Sequence, residues 1–159
     1  MSSTAPTLGT LMRSLIDLLD GEVEAAYAVA GLAWRPRYTP VLRALRRVGP
    51  ASIKIIAREA GVSHSAASQT VSQMAREGLV ALTPGADARE RIVVLTPATE
   101  AMIPALERQQ AATNAAAAEL DAELSAPLTE VLREAVDALH RRPFGARIAD
   151  AAKTRTEPA

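Results

Sequence analysis

The segment from Ile53 to Leu95 constrains the fold most, because two short helical stretches there are separated by a tight turn and followed by strand-like residues. The first stretch, IKIIAREA, ends at Gly61, and the second, HSAASQTVSQMARE, ends at Gly78. Glycine favours the left-handed backbone that ends a helix. Ser63 stands directly before the second stretch, where a serine side chain caps a helix. The pattern predicts a helix-turn-helix unit, although an ordinary pair of packed helices uses the same turn chemistry.

A short hairpin is predicted directly after this unit. Leu79 to Leu82 and Arg91 to Leu95 are strand-like, and Pro84, Gly85 and a group of charged residues separate them. A hairpin in this position is typical of the wing of a winged helix-turn-helix protein. Its presence favours that fold over the ordinary helix pair.

Long amphipathic helices are predicted on both sides of the unit. Apolar residues recur at three- and four-residue steps from Leu8 to about Gly31. Between that helix and the unit, Pro40 begins a short helix and Ser52 is placed as the cap of the next. We therefore expect a mainly α fold.

Two further helices are expected after the hairpin. Thr96 and Pro97 are a cap and a first-turn proline for a helix to about Leu124, with a kink or a late start at Pro104. Ser125 is placed as the cap of a sixth helix with one apolar stripe. From residue 143 the signal weakens, and a frayed tail is expected.

Charge is distributed unevenly, although the net charge of the 159 residues is zero. Ten basic and four acidic residues lie between Arg35 and Arg91, and acidic residues are in excess on both sides. Phosphate binding depends on local basic surface, so a net charge of zero is compatible with a nucleic-acid-binding face. The alternative is a solvated surface with uneven charge.

Composition argues against several other classes of protein. The chain has no cysteine, so thiol chemistry, disulfides and cysteine-ligated zinc are excluded. It has two histidines and no phosphate-binding glycine loop, and the adjacent His64 and Ser65 do not face each other on a helix. We expect no catalysis, no metal and no cofactor. An apolar run of about 20 residues and a signal peptide are both missing, so a cytoplasmic protein is expected, with no membrane partner.

The second helix of the unit has an apolar face and a polar face. The apolar face comprises Ala67, Thr70, Val71 and Met74, and the polar face carries hydroxyls and amides up to Arg76. Such groups form hydrogen bonds with base edges, and the positive end of the helix dipole favours phosphate. The DNA-binding candidates are Ser63, His64, Ser65, Ser68, Gln69, Ser72 and Gln73, with Lys54 and Arg91 added from the basic segment.

Asp87 and Arg89 share the predicted tip of the hairpin. Asp87 is expected to anchor the loop by accepting hydrogen bonds from backbone N–H groups or from an arginine. Arg89 is then free to enter the minor groove, where the negative potential attracts a guanidinium. The alternative for these two residues is a surface ion pair worth at most about 1 kcal/mol.

The helix and strand GVSHSAASQTVSQMAREGLV, the DAR wing followed by VVLTP, and the long closing helices resemble the MarR family of bacterial winged-helix regulators. The resemblance covers about Leu8 to His140. It implies a homodimer formed by the N- and C-terminal helices, recognition helices in successive major grooves of palindromic double-stranded DNA, and a wing arginine in the flanking minor groove. Many members place Arg or Lys where Gln69 and Gln73 stand, so base readout here is expected to be less electrostatic.

The fold expected on this basis is mainly α, a winged helix-turn-helix with a three-helix core and a two-stranded β-wing, and with long terminal helices that form a dimerisation lobe. Residues 1–34 are the N-terminal dimerisation helix, 35–96 the DNA-binding lobe, 97–142 the C-terminal dimerisation helices and 143–159 the tail. The function implied is a transcriptional regulator, more specifically a repressor. The alternative is a winged helix that binds protein instead of DNA, for which an apolar outer face on the second helix of the unit would be required.

The resemblance also implies a small aromatic or phenolic effector bound between the two lobes. The matching segment is GLAWRPRY. Tyr27, Trp34 and Tyr38 could line such a cleft, and Arg37 could pair with an anionic ligand. The alternative is that these aromatic side chains simply fill the core at the junction.

Overall fold

The computed structural model describes residues 5–85 and 91–154, and this part of the chain is mainly helical. Two compact units are present, Met1–Ala111 and Ala112–Ala159. No helix within the described ranges is long and apolar enough to span a membrane. The helices are α1 (Leu8–Val29), α2 (Thr39–Val48), α3 (Ile53–Ala60), α4 (His64–Arg76), α5 (Pro97–Glu123), α6 (Leu128–Arg141) and α7 (Phe144–Thr154), and the strands are β1 (Ala51–Ser52), β2 (Val80–Pro84) and β3 (Arg91–Leu95).

The turn between α3 and α4 has the predicted helix-turn-helix geometry. Gly61 adopts the left-handed conformation, with φ 68° and ψ 29°, and the N–H of Val62 donates to the carbonyl of Ala57 at 3.1 Å. The Oγ of Ser63 accepts a hydrogen bond from the N–H of Ala66 at 3.1 Å, which confirms the predicted cap of α4. The mainly α winged helix-turn-helix fold is therefore confirmed.

The sheet has three antiparallel strands in the order β1-β3-β2, so the predicted hairpin is joined by a strand that the sequence did not reveal. Ala51 pairs with Val93 and Ser52 pairs with Ile92. Ser52 precedes α3 in an extended conformation, but its side chain makes no cap hydrogen bond, so the predicted capping role is wrong. Two residues are too few to show an alternating pattern.

The core of the first unit is formed by α2, α3 and α4 packed around the base of the hairpin. The apolar face predicted for α4 is confirmed for Ala67, Val71 and Met74, which are fully buried, whereas Thr70 is half-buried. Burying a side chain of the size of Val71 or Met74 stabilises the fold by about 1.5–3 kcal/mol. This face fixes which side of α4 is left for solvent or for a ligand.

The first turn of α5 is hydrogen-bonded to the residues that directly follow α4. The Oγ1 of Thr96 accepts from the N–H of Thr99 at 3.3 Å, as predicted for a cap, and donates to the carbonyl of Gly78 at 2.9 Å. The buried Thr99 Oγ1 donates to the carbonyl of Leu79 at 2.7 Å. The helix begins at Pro97 and continues through Pro104, so a late start at Pro104 is wrong.

The second unit departs from two expectations. Helix α6 begins at Leu128, after Pro127, so Ser125 is not its cap; the carboxylate of Asp121 accepts from the N–H of Thr129 at 3.3 Å instead. Residues 144–154 form helix α7, which contradicts the expected tail over that range. The guanidinium of Arg147 donates to the carbonyl of Ala138 in α6 at 3.1 Å, a tertiary contact that local sequence patterns do not show.

Candidate nucleic-acid interface and a cavity in the first unit

The exposed side of α4 presents one stripe of polar side chains. At about 100° of rotation per residue, Ser65, Gln69, Ser72 and Arg76 fall within an arc of about 60°, and all four are exposed. The three uncharged members make no hydrogen bond within the described part of the chain, so their donors and acceptors are available to a ligand.

The other candidates from α4 lie at the edge of this stripe or at the start of the helix. Ser68 and Gln73 flank the stripe and are half-buried. His64 is exposed in the first turn, and the hydroxyl of Ser63 is used by the helix cap. The structure therefore brings Ser65, Ser68, Gln69, Ser72 and Gln73 together on one side of α4 with unequal access, whereas Ser63 precedes the helix and His64 falls outside that side.

Gln73 differs from Gln69 because its amide is bonded within the protein. Its Nε2 donates to Glu77 Oε1 at 2.6 Å, and its Oε1 accepts from the guanidinium of Arg76. Glu77 also accepts from the hydroxyl of the fully buried Tyr38 at 2.9 Å. Arg35 Nη2 lies 3.4 Å from Glu77 Oε1. Sequence reasoning missed this group, since Tyr38 and Glu77 are 39 positions apart.

The charge states of this group follow from its contacts. The hydrogen bond from Gln73 is the main cause that lowers the pKa of Glu77, helped by Tyr38 and Arg35, while burial opposes it. Burial raises the pKa of Tyr38, and its hydrogen bond to Glu77 adds to the effect. At neutral pH the carboxylate is charged and the phenol is neutral. Their contributions to stability are lost as the pH falls through the folded pKa of Glu77 or rises through that of Tyr38.

The basic candidates outside α4 are also accessible. Lys54 is exposed in the first turn of α3 and makes no ion pair with the described residues, and Arg91 is exposed at the start of β3. Arg47 and Arg58, in contrast, both pair with Glu59. Asp87 and Arg89 lie outside the described residues, between Pro84 and Arg91, which pair with each other.

A small cavity of about 60 Å³ lies in the same unit. Tyr27 and Trp34 contribute to its wall, but the predicted Arg37 and Tyr38 do not. Arg37 lies over the Tyr38 ring, 5.6 Å from its centroid. The guanidinium groups at the cavity belong instead to residues of α2. The full lining is Tyr27, Trp34, Thr39, Leu42, Arg43, Arg46, Ile103, Leu106, Glu107 and Gln110.

The two arginines at the cavity have different surroundings. Arg46 Nη1 lies 2.6 Å from Glu107 Oε1, an ion pair that joins α2 to α5. Arg43 makes no ion pair with the described residues and is exposed. Arg43 and Arg46 follow Thr39, which also lines the cavity, by four and seven positions, a spacing that could have indicated a shared face of α2. The cavity thus has apolar and aromatic walls with one available cation.

This combination of helix-turn-helix, hairpin and polar outer face on α4 defines a winged-helix protein. Residues 35–90 match the model of the MarR family. None of the curated proteins compared with the chain matches it. The chain is therefore similar to winged-helix regulators of the MarR family, over residues 35–90 by sequence and over most of its length by fold.

Solved structures show the same fold over most of the chain. The MarR-family regulator from Silicibacter pomeroyi is 25% identical, with a TM-score of 0.61 over 87% of this chain and 99% of that one. The M. tuberculosis regulator MosR, solved in complex with DNA, is 20% identical, with a TM-score of 0.64 over 92% and 98%. The Streptomyces coelicolor regulator PcaV, solved with its natural ligand, is 22% identical, with a TM-score of 0.61 over 96% and 99%.

Proposed function

We propose that this protein is a sequence-specific repressor that binds a palindromic double-stranded DNA operator as a homodimer. The observation that carries the proposal is the exposed stripe on α4, where Ser65, Gln69 and Ser72 have hydrogen-bonding groups available and no acidic side chain intervenes. Hydroxyl and amide groups are suited to base edges in the major groove. A protein-binding helix would present an apolar face instead, and α4 turns its apolar face into the core.

The homodimer is supported by apolar side chains that the isolated chain leaves in water. In α1, Leu11 and Leu18 are 54% and 68% exposed. In the second unit, α6 and α7 expose Val136, Phe144 and Ile148. Helices with such faces require a partner, and twofold symmetry provides one. A twofold dimer also matches the DNA, because recognition helices about 34 Å apart reach successive major grooves.

The wing is tested by replacing Arg89 with alanine. We expect the affinity for duplex DNA to fall by about 5- to 150-fold, corresponding to about 1–3 kcal/mol, because a guanidinium in the minor groove is lost. The measurement is fluorescence anisotropy with the duplex that the protein enriches from a random-sequence library. Arg133→Ala removes the same charge from an exposed position on α6 and serves as the control.

Equal affinities for Arg89→Ala and the wild type would refute the proposed role of the wing. A wild-type protein that binds no duplex even at low salt would refute the DNA-binding function itself. That second result would leave the protein-binding winged helix as the alternative.

We further propose that an aromatic carboxylate or phenolate releases the protein from DNA by binding at the cavity. Tyr27 and Trp34 supply aromatic walls, and Arg43 supplies a cation. The volume of about 60 Å³ is far below the roughly 300–1,000 Å³ of a pocket that encloses a drug-sized ligand. The effector must therefore open the cavity, and separation of α2 from α5 at the Arg46–Glu107 ion pair is the direct way to do so.

Arg43→Ala tests this effector site. At a ligand concentration 100 times its dissociation constant, the wild type should gain about 2.7 kcal/mol of stability. This gain is measured as a rise in Tm with benzoate, salicylate and 4-hydroxybenzoate. The variant should lose most of it while its Tm without ligand stays unchanged, because Arg43 is exposed. No rise in the wild type with any of these compounds would favour the simpler role of Tyr27 and Trp34 as core residues.

A further inference from the structure

Arg76 lies on the exposed stripe of α4 and has no assigned role. It follows Ser72 by four positions and Ser65 by eleven, so it faces the same direction as the hydroxyl and amide groups. Gln73 lies to one side of that direction and is half-buried. The charged end of the stripe is therefore Arg76.

The position of Arg76 along the helix axis indicates what part of the DNA it reaches. Eleven residues at about 1.5 Å each place it about 16 Å beyond Ser65. The major groove is about 12 Å wide, and it is the N-terminal part of a recognition helix that contacts base edges. A side chain this far along the helix lies past the groove, at the phosphate backbone.

Neighbouring side chains hold Arg76 without cancelling its charge. Its guanidinium donates to the neutral amide oxygen of Gln73, and it makes no ion pair with the described residues. Gln73 Nε2 is in turn bonded to Glu77 at 2.6 Å, and Glu77 is bonded to the hydroxyl of the buried Tyr38 at 2.9 Å. The chain of hydrogen bonds thus leads from the core to an exposed cation.

We propose that Arg76 contacts a DNA phosphate and that Gln73 and Glu77 act as positioning residues, holding the guanidinium, instead of reading bases. This inference rests on the proposed DNA binding. The positioning role also accounts for the acidic residue Glu77 at the end of α4. The carboxylate of Glu77 is bonded to Gln73, Tyr38 and Arg35, so its charge is engaged within the protein and it orients its neighbours.

The test compares the salt dependence of binding for Arg76→Ala and the wild type. The probes are a fluorescein-labelled duplex of mixed sequence and the duplex enriched from a random library. Each phosphate contact contributes about 0.9 to the slope of log K against log salt, so the dimeric variant should have a slope smaller by about 2 on both probes. Arg76→Lys should retain the slope. Arg108→Ala, an exposed site on α5, is the matched control and should leave it unchanged.

A double-mutant cycle separates positioning from base contact by Gln73. Gln73→Ala should weaken binding severalfold in the wild type and have no effect in the Arg76→Ala background, because it acts through the guanidinium. An unchanged slope in Arg76→Ala would overturn the phosphate contact. An undiminished effect of Gln73→Ala in both backgrounds, with altered preference at one base pair, would assign Gln73 to base readout. If the wild type binds neither probe, the proposed function fails, whereas the other outcomes bear on this inference alone.

Discussion

Replacing Leu11 and Leu18 together by aspartate is expected to convert the proposed homodimer to a monomer and to weaken its binding to the enriched duplex by about 10²- to 10⁴-fold. The two leucines are 54% and 68% exposed, so charge at these positions does not disturb the protomer core. In a dimer, however, it would place carboxylates in an apolar interface. A monomer engages one half-site and loses the gain of about 10²–10⁴ that two linked binding sites provide.

The measurement combines sedimentation velocity, for mass, with anisotropy on the enriched duplex, for affinity. Thr10→Asp adds a carboxylate at an exposed position of α1 that is about 80–100° around the helix from both leucines, and it should leave both measurements unchanged. A doubly substituted protein that remains dimeric would exclude α1 from the interface. A monomeric variant with wild-type affinity would show that a single winged lobe suffices for binding.

Replacing Tyr38 by alanine is expected to lower the free energy of unfolding by about 3–5 kcal/mol. The ring is fully buried and packs edge-on against Trp34, with centroids 5.6 Å apart and planes at 88°. Its removal leaves a cavity at the point where the segment between α1 and α2 meets the end of α4. It also removes the hydroxyl bonded to Glu77.

Tyr38→Phe removes the hydroxyl and keeps the ring, so it distinguishes their contributions. It should lower the free energy of unfolding by only about 1 kcal/mol, since Glu77 retains Gln73 and Arg35 as partners. Urea denaturation monitored by Trp34 fluorescence and far-UV circular dichroism gives both values. Similar losses for the two variants would mean that the hydrogen bond, and not ring burial, dominates at this position. A loss below about 1 kcal/mol for alanine would contradict the buried placement of the ring.

The helix-turn-helix could be predicted because the sequence signals that specify it are local. The left-handed turn at Gly61, the cap at Ser63 and the buried face containing Val71 and Met74 depend on residues at most four positions apart. The cap at Thr96 is of the same kind. Each of these features is determined by the conformational preference of one residue or by the period of one helix, so a single sequence contains the information.

The candidate site could be predicted only in part, because only some of its features depend on local sequence. The placement of hydroxyl and amide groups on the outer face of α4 follows directly from the helical period. The bond from Tyr38 to Glu77, in contrast, depends on where the segment between α1 and α2 packs against the end of α4. The cation available at the cavity, Arg43 in place of Arg37, likewise depends on which face of α2 turns toward α5.

The sequence by itself determined the winged helix-turn-helix, the polar stripe on α4 and the basic segment around them. Only the tertiary structure decided that β1 joins the hairpin, that Asp121 replaces Ser125 at the start of α6, and that residues 144–154 are helical. The physical reason is the range of the interactions. Helix caps, turns and periodicity are satisfied within one or two turns of chain, whereas strand pairing and side-chain bonds between elements join residues that no local pattern relates.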